Sequence, residues 1–321
     1  MHTESHPFWS VMIPAHKPNH YVLEAIKSVL IQAPEPQRMQ IEVLIDGPVS
    51  EDSLEQIRRV CGSRIGIYLH GETVGQARNL NKAIERATGE WIHLLHHDDL
   101  VLPGFYAAIE EGIQSAPHIG AAFTRHSFID EEGHWTRLSH LERRSAGIPE
   151  GFLRKLAVYS RFQTPSIAVR KSVYEKLGGF REDLVFALDW EMWVRIACKY
   201  DLWFDPRILA LYRVNSAGVS SSLVRSAGDI NDTKKAIGIM SGYLPSAWAN
   251  RAKQEALRFH GRGAMEMARR LYMGGDRDGA RNQIKEGLAM STSPAVIGEL
   301  VRVQLGRLRR ALQAQRSGSG T

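Results

Sequence analysis

The stretch EWIHLLHHDDLVLPGF, residues 90–105, ends an apolar run in two histidines and two aspartates. Adjacent carboxylates repel one another, and a strand has little use for them. A hard divalent cation such as Mg2+ or Mn2+ gives them a purpose. It is usually held by one or two carboxylates, with substrate phosphate oxygens and water completing its shell. Asp98 and Asp99 would supply that pair. The competing reading is that one caps the following helix and the other is solvated, because helix starts attract Asp. His96 also leaves two options open. An imidazole can bind a metal or donate to a phosphate oxygen, or it can simply end a strand as a satisfied polar residue.

The elements that must position these groups are legible as an alternation. FWSVMIPAH, QIEVLID, RIGIYLH and EWIHLLHH read as buried strands. YVLEAIKSVLIQA, SEDSLEQIRRVC and GQARNLNKAIERATG read as the helices between them, and PGFYAAIEEGIQSA begins the next. Short connections between alternating strands and helices indicate an α/β fold with a parallel sheet. Ligands in such sheets sit at the carboxyl ends of strands, and Asp46, Asp98 and Asp99 all fall there. Beyond residue 119 the rhythm breaks. IGAAFTRHSFID and PSIAVR read as strands, KSVYEKLGGF and DWEMWVRIACKY as helices, LWFDPRILALYRV as two short strands, and NSAGVSSS as a loop. From about residue 226 the pattern is helical, broken at Pro245 and Pro294. AMEMARRLYMGGDRDGARNQIKEGLAMSTSP has the look of one helical-hairpin repeat. The Ser/Gly tail at 317–321 is expected to be disordered.

Composition narrows the class. With 43% apolar and 24% charged residues in 321, the chain can bury a large core. Its two cysteines, Cys61 and Cys198, have no metal-ligand spacing and suggest a reducing compartment. No signal-peptide pattern or run of eighteen apolar residues is visible, so the expectation is a cytoplasmic protein. Charge is uneven. Residues 225–321 hold 17 Lys/Arg and 8 Asp/Glu, leaving 24 basic and 27 acidic residues for 1–224. The basic charges are dispersed along helices without interleaved aromatics, which argues against a nucleic-acid partner. In ELVRVQLGRLRRALQAQR, Leu300, Val303, Leu305, Leu308 and Leu312 could form one apolar stripe among arginines, either packed on the protein or lying on an anionic membrane.

Residues 8–220 resemble a family 2 glycosyltransferase of the GT-A fold. The resemblance is carried in order by SVMIPAH, IEVLIDGPVSEDS, VGQARNLNKAIERATGEWIHLLHHDDLVLPGF, TPSIAVRKSVYEKLGGFRED, LDWEMWVRIA and LALYRVNSAGVS. It implies a GT-A domain over 1–224, Rossmann-like with a mostly parallel central sheet and flanking helices, followed by a basic helical region over 225–316. It implies an inverting transfer of a sugar from a nucleotide-diphosphate donor to a glycan or lipid-linked acceptor, at the cytoplasmic face of a membrane. Pro14, Ala15 and His16 would border the nucleotide base, with Asp46 at its edge. Arg78, Arg213 and Ser220 would lie near the diphosphate, Asp98 and Asp99 would bind Mg2+ or Mn2+, and Asp189 would be the general base. Asp189 can also be read as a helix cap, and Trp190 and Trp193 as core. Three positions depart from the family pattern. His96 stands where Asp is usual, Ile45 precedes Asp46 where relatives often carry a second acid, and Asn215 replaces a frequent histidine. The alternative function is a non-catalytic nucleotide-sugar or partner-binding protein on the same scaffold.

Overall fold

The computed structural model describes residues 6–16, 18–215 and 219–318, without the side chains of 219–221 and 308–318. Two compact units emerge. The first comprises residues 1–153, 160–183 and 192–215, and the second 154–159, 184–191 and 216–321.

The first unit is built on a nine-stranded sheet. Strands β1 (Trp9–His16), β2 (Met39–Asp46), β3 (Gly66–Leu69) and β4 (Trp91–Leu94) run parallel in the order β3-β2-β1-β4. Helices α1 (His20–Leu30), α2 (Glu51–Cys61) and α3 (Gln76–Arg86) make the crossovers. Burial explains the apolar runs: Trp9, Val11, Met12, Ile13 and Ala15 are all sealed from solvent, as expected of a strand covered on both faces. The chain turns into β4 at Gly89, where an added Cβ would lie 2.4 Å from the Trp9 carbonyl carbon. Only glycine permits that close pass. Ser10 Oγ secures it by accepting from the Thr88 and Gly89 amides at 3.1 and 2.8 Å.

The remaining elements are β5 (Leu100–Val101), α4 (Phe105–Ser115), β6 (Ala121–Ile129), β7 (Trp135–Leu138), α5 (Phe152–Leu156), a 3-10 turn at Thr164–Ser166, β8 (Ile167–Arg170), α6 (Lys171–Leu177), α7 (Leu188–Ala197) and β9 (Leu202–Arg213). They extend the sheet as β4-β8-β6-β9-β5, with β7 on β6. Here β6 and β9 are parallel and the other pairs antiparallel. The fold is the expected mixed α/β arrangement with flanking helices.

Several local expectations are revised. β4 stops at Leu94, so both histidines that follow lie in a turn. LWFDPRILALYRV is one strand with two shifts of register, one opposite Thr124–Arg125 at Pro206, which cannot donate to the ladder, and one opposite Arg125–His126. Within the predicted loop NSAGVSSS, the chain is helical from Val219. The edge strand β7 exposes all four residues, so no burial alternation announces it.

The second unit is helical: α8 (Val219–Ser226), α9 (Gly228–Ser241), α10 (Ser246–Met273), α11 (Arg277–Met290) and α12 (Pro294–Gly318). The anticipated helical hairpin is formed by α10 and α11, joined at Gly274–Asp276. Asp276 caps α11 by accepting from the Gly279 amide at 2.8 Å. Small residues let the two backbones meet. A Cβ on Gly287 would fall 2.8 Å from Ala264 Cβ. The single apolar stripe expected on α12 is divided: Val303 is buried, Leu300 half-buried and Leu305 exposed, with Ile297 and Val301 also exposed on this helix. Leu308 and Leu312 lie outside the described side chains, and the tail beyond Gly318 outside the described residues. Among the described residues, no helix is long and apolar enough to cross a membrane.

Candidate active site

The carboxyl ends of β1 and β4 stay paired beyond the formal strands. The Leu95 amide donates to Met12 O at 3.0 Å, and the His97 amide to Pro14 O at 3.2 Å. The Asp99 amide then donates back to His96 O at 3.1 Å, closing a turn. This turn gathers His96, Asp98 and Asp99, with one ligand atom from each within 4.8 Å of the others. Asp99 is 1% exposed, while His96 and Asp98 reach solvent. His96 Nε2 is buried and has no hydrogen-bond partner among the described residues. Such an orphaned ring nitrogen beside two carboxylates fits a divalent cation. Burial lowers the His97 pKa below the ordinary histidine value, against the opposing pull of the Asp98 charge.

Arg213, at the end of β9, holds this turn. Its amide donates to Asp99 Oδ1 at 2.9 Å and its Nε to Asp98 O at 2.9 Å. Nη1 donates to the Asp130 and Glu131 carbonyls at 3.3 and 3.0 Å, and Nη2 to Glu24 Oε2 at 2.8 Å. The guanidinium also lies 4.2 Å from the Tyr21 ring centroid. The sequence suggested a diphosphate contact. In the structure its donors are directed to the protein.

The nucleotide-edge candidates also converge. His16 and Asp46 are register partners at the ends of β1 and β2, and Pro14 and Ala15 are buried just before them. His16 Nδ1 lies 3.1 Å from Asp46 O. The buried Asp46 carboxylate accepts from the Val74 amide at 2.6 Å and the Gly75 amide at 3.1 Å. It thereby holds the mouth of α3, whose own N-cap, Gly75, has no side chain to do so. Gly47, at φ +96°, makes the turn after β2, where a Cβ would lie 2.5 Å from Thr73 Oγ1. Arg78 is turned to Glu182, in an exposed ion pair at 2.8 Å. The Ser220 side chain lies outside those described.

Asp189 stands in the first turn of α7, within the second unit, and is partly exposed. Its neighbour Trp190 is buried, donates Nε1 to Leu156 O at 2.6 Å and lies 4.9 Å from the His260 ring. Trp193, in the first unit, is also buried, against Phe162 and Phe180. Both tryptophans are core. Sequence reasoning missed Glu24 and the whole Arg213 network, for which no local signal exists.

Comparison with known proteins places this geometry. The chain is 24% identical over 259 residues to an uncharacterized glycosyltransferase of Rickettsia typhi, covering 79% of this chain and 76% of that one. An uncharacterized glycosyltransferase of Methanocaldococcus jannaschii is 26% identical over 209 residues, 64% of this chain and 69% of its own. Among solved structures, S. aureus TarS 1–349 in complex with UDP-GlcNAc superposes with a TM-score of 0.62 at 14% identity, over 86% of this chain and 90% of that one. In a longer TarS structure the match spans 43% of that chain. The Pyrobaculum calidifontis mannosyltransferase PcManGT, in complex with GDP-Man and Mn2+, gives 0.57 at 19% identity, over 96% and 84%. These likenesses show the GT-A fold. The family profile described as Glycosyl transferase family 2 matches residues 10–178, more than half of the chain, and the chain belongs to that family.

Proposed function

We propose that the protein transfers a hexosyl-type sugar, with inversion, from a nucleotide-diphosphate donor to a hydroxyl of a glycan or lipid-linked acceptor. The observation that carries the reading is the turn gathering His96, Asp98 and Asp99 at the carboxyl end of β4. Those residues would hold Mn2+ or Mg2+. Such an ion, when bound, neutralises charge developing on the departing diphosphate. Pro14, Ala15, His16 and Asp46 receive the base, and Arg78 and Ser220 serve the phosphates. Arg213 holds the Asp98–Asp99 turn in place. Asp189 takes the proton of the attacking hydroxyl as general base. A single base and in-line attack give inversion at the anomeric carbon.

The protein works at the cytoplasmic side of a membrane, which it touches through the exposed Ile297, Val301 and Leu305 of its basic C-terminal region. Nucleic acid is not a partner. Thermal-shift screening against UDP, GDP and dTDP, with and without Mn2+, tests the core of the reading. One nucleotide should stabilise the protein only when metal is present. No metal-dependent rise with any of them contradicts it.

A further inference from the structure

The segment leading into α7 is exposed yet firmly held. Asp232 of α9 accepts three consecutive backbone N–H groups on one carboxylate oxygen: Val185 at 3.1 Å, Phe186 at 2.8 Å and Ala187 at 2.8 Å. Successive amides converging on one anionic oxygen form a concavity that fixes the local backbone, and a charged acceptor strengthens each bond. Leu184, Ala187 and Leu188 are buried on either side of this clamp. Val185 and Phe186 instead point outward, at 48% and 41% exposure.

A large apolar ring on a pinned backbone has a recognisable use. Its ordering entropy is already lost before a ligand arrives, so contact with the ring costs little further freedom. A pyranose offers a matching surface, since one face of the ring presents C–H groups while the hydroxyls point around the rim. The location adds weight. Phe186 stands three residues before Asp189, within the same unit.

We propose that Phe186 is an acceptor-binding platform, with the apolar face of the acceptor sugar lying on its ring, and that Asp232 is the positioning residue that holds it. The proposal rests on Asp189 being the base, since that role brings the acceptor hydroxyl to this end of α7.

Saturation-transfer NMR on the full chain, with methyl β-D-glucopyranoside, methyl α-D-mannopyranoside and methyl β-N-acetylglucosaminide as probes, tests it without knowledge of the donor. The wild type should bind at least one probe. Phe186→Ala should weaken that binding about tenfold, the scale of one aromatic contact, while Phe186→Tyr retains it. Asp232→Ala should weaken it similarly, with amides 185–187 losing hydrogen-exchange protection, and Asp232→Asn should restore most of it because an acceptor oxygen remains. Should Asp232→Ala fail to fold, the Asn and Phe186 variants still decide. Turnover of Asp189→Asn tests the base reading, whereas glycoside binding by the Phe186 variants tests the platform, so failure of one is distinguishable from failure of the other. No glycoside binding by the wild type, or undiminished binding by Phe186→Ala, overturns the proposal. So does a change of oligomeric state in Phe186→Ala by size exclusion, which would make this ring a protein interface.

Discussion

The backbone amide of Arg213 donates to Asp99 Oδ1 at 2.9 Å while its Nε donates to Asp98 O, so one residue of β9 grips both aspartates of the turn after β4. The same guanidinium reaches Glu24 and the carbonyls of Asp130 and Glu131. The turn that presents the metal-ligand candidates is therefore set by three distant parts of the first unit.

Replacing Arg213 with Met keeps an apolar stem and the backbone bond to Asp99 but removes the grip on Asp98. Mn2+ affinity should fall about 10–100-fold, the usual effect of losing a group that orients a ligand. Each carbonyl left without its donor should cost about 1–3 kcal/mol of stability. Calorimetric Mn2+ titration of the folded variant, beside urea unfolding, checks both. Unchanged metal affinity in a folded variant would show that Arg213 does not position the turn.

Asp189→Asn should leave donor binding nearly intact and lower turnover roughly 10²–10⁴-fold, the scale of a lost acid–base group. Steady-state kinetics with the donor found by thermal shift measures it. Transfer at near wild-type rate would reduce Asp189 to a helix-terminal residue.

Two buried histidines, His93 and His126, and the half-buried His260 should make the fold sensitive to acid. Burial pushes His93 and His260 down to about 4, and His126 to about 3, with Arg137, Arg125 and His140 adding to the shift at His126. These folded values lie below the unfolded 6.5, so the unfolded chain binds more protons between them. Stability is full above the unfolded value and falls as pH drops toward the folded ones, by up to about 1.4 kcal/mol per pH unit for each histidine. Neither ring nitrogen of His126 has a hydrogen-bond partner among the described residues, so His126→Leu removes the titration without breaking a bond. Its melting temperature should decline less than the wild type's between about pH 6.5 and 4. Parallel curves would refute the assignment.

The α12 face is best tested by substitution, because deleting the helix would uncover α10, against which it packs. Val301→Glu with Leu305→Glu changes exposed residues only, so the protein should stay folded. Sedimentation with anionic phosphatidylglycerol vesicles should drop strongly relative to wild type. Equal sedimentation would rule out membrane contact through this face.

Much of the parallel half of the sheet was legible because its strands are buried on both faces. WSVMIPAH and QIEVLID read as continuous apolar runs, and their ends carry His16 and Asp46. The HHDD segment stood out as a candidate site because a carboxylate pair at a strand end has few structural uses, and the structure gathers His96, Asp98 and Asp99 in one turn. What stayed hidden depends on long-range contacts. Arg213 meets Glu24 across 189 residues, and Asp232 clamps amides more than 40 positions earlier. Strand β7 leaves no signal because nothing on it is buried. The outward face of α12 could not be separated from its packed face, since both carry aliphatic residues at helical spacing.

The most direct test is calorimetric titration of wild type, Asp98→Asn and His96→Asp with nucleotide diphosphate, with and without Mn2+. If His96, Asp98 and Asp99 hold the cation, Asp98→Asn abolishes metal-dependent nucleotide binding. His96→Asp then tightens cation binding, because a third negative charge joins the turn. Metal-dependent affinity unchanged in Asp98→Asn would contradict the central claim.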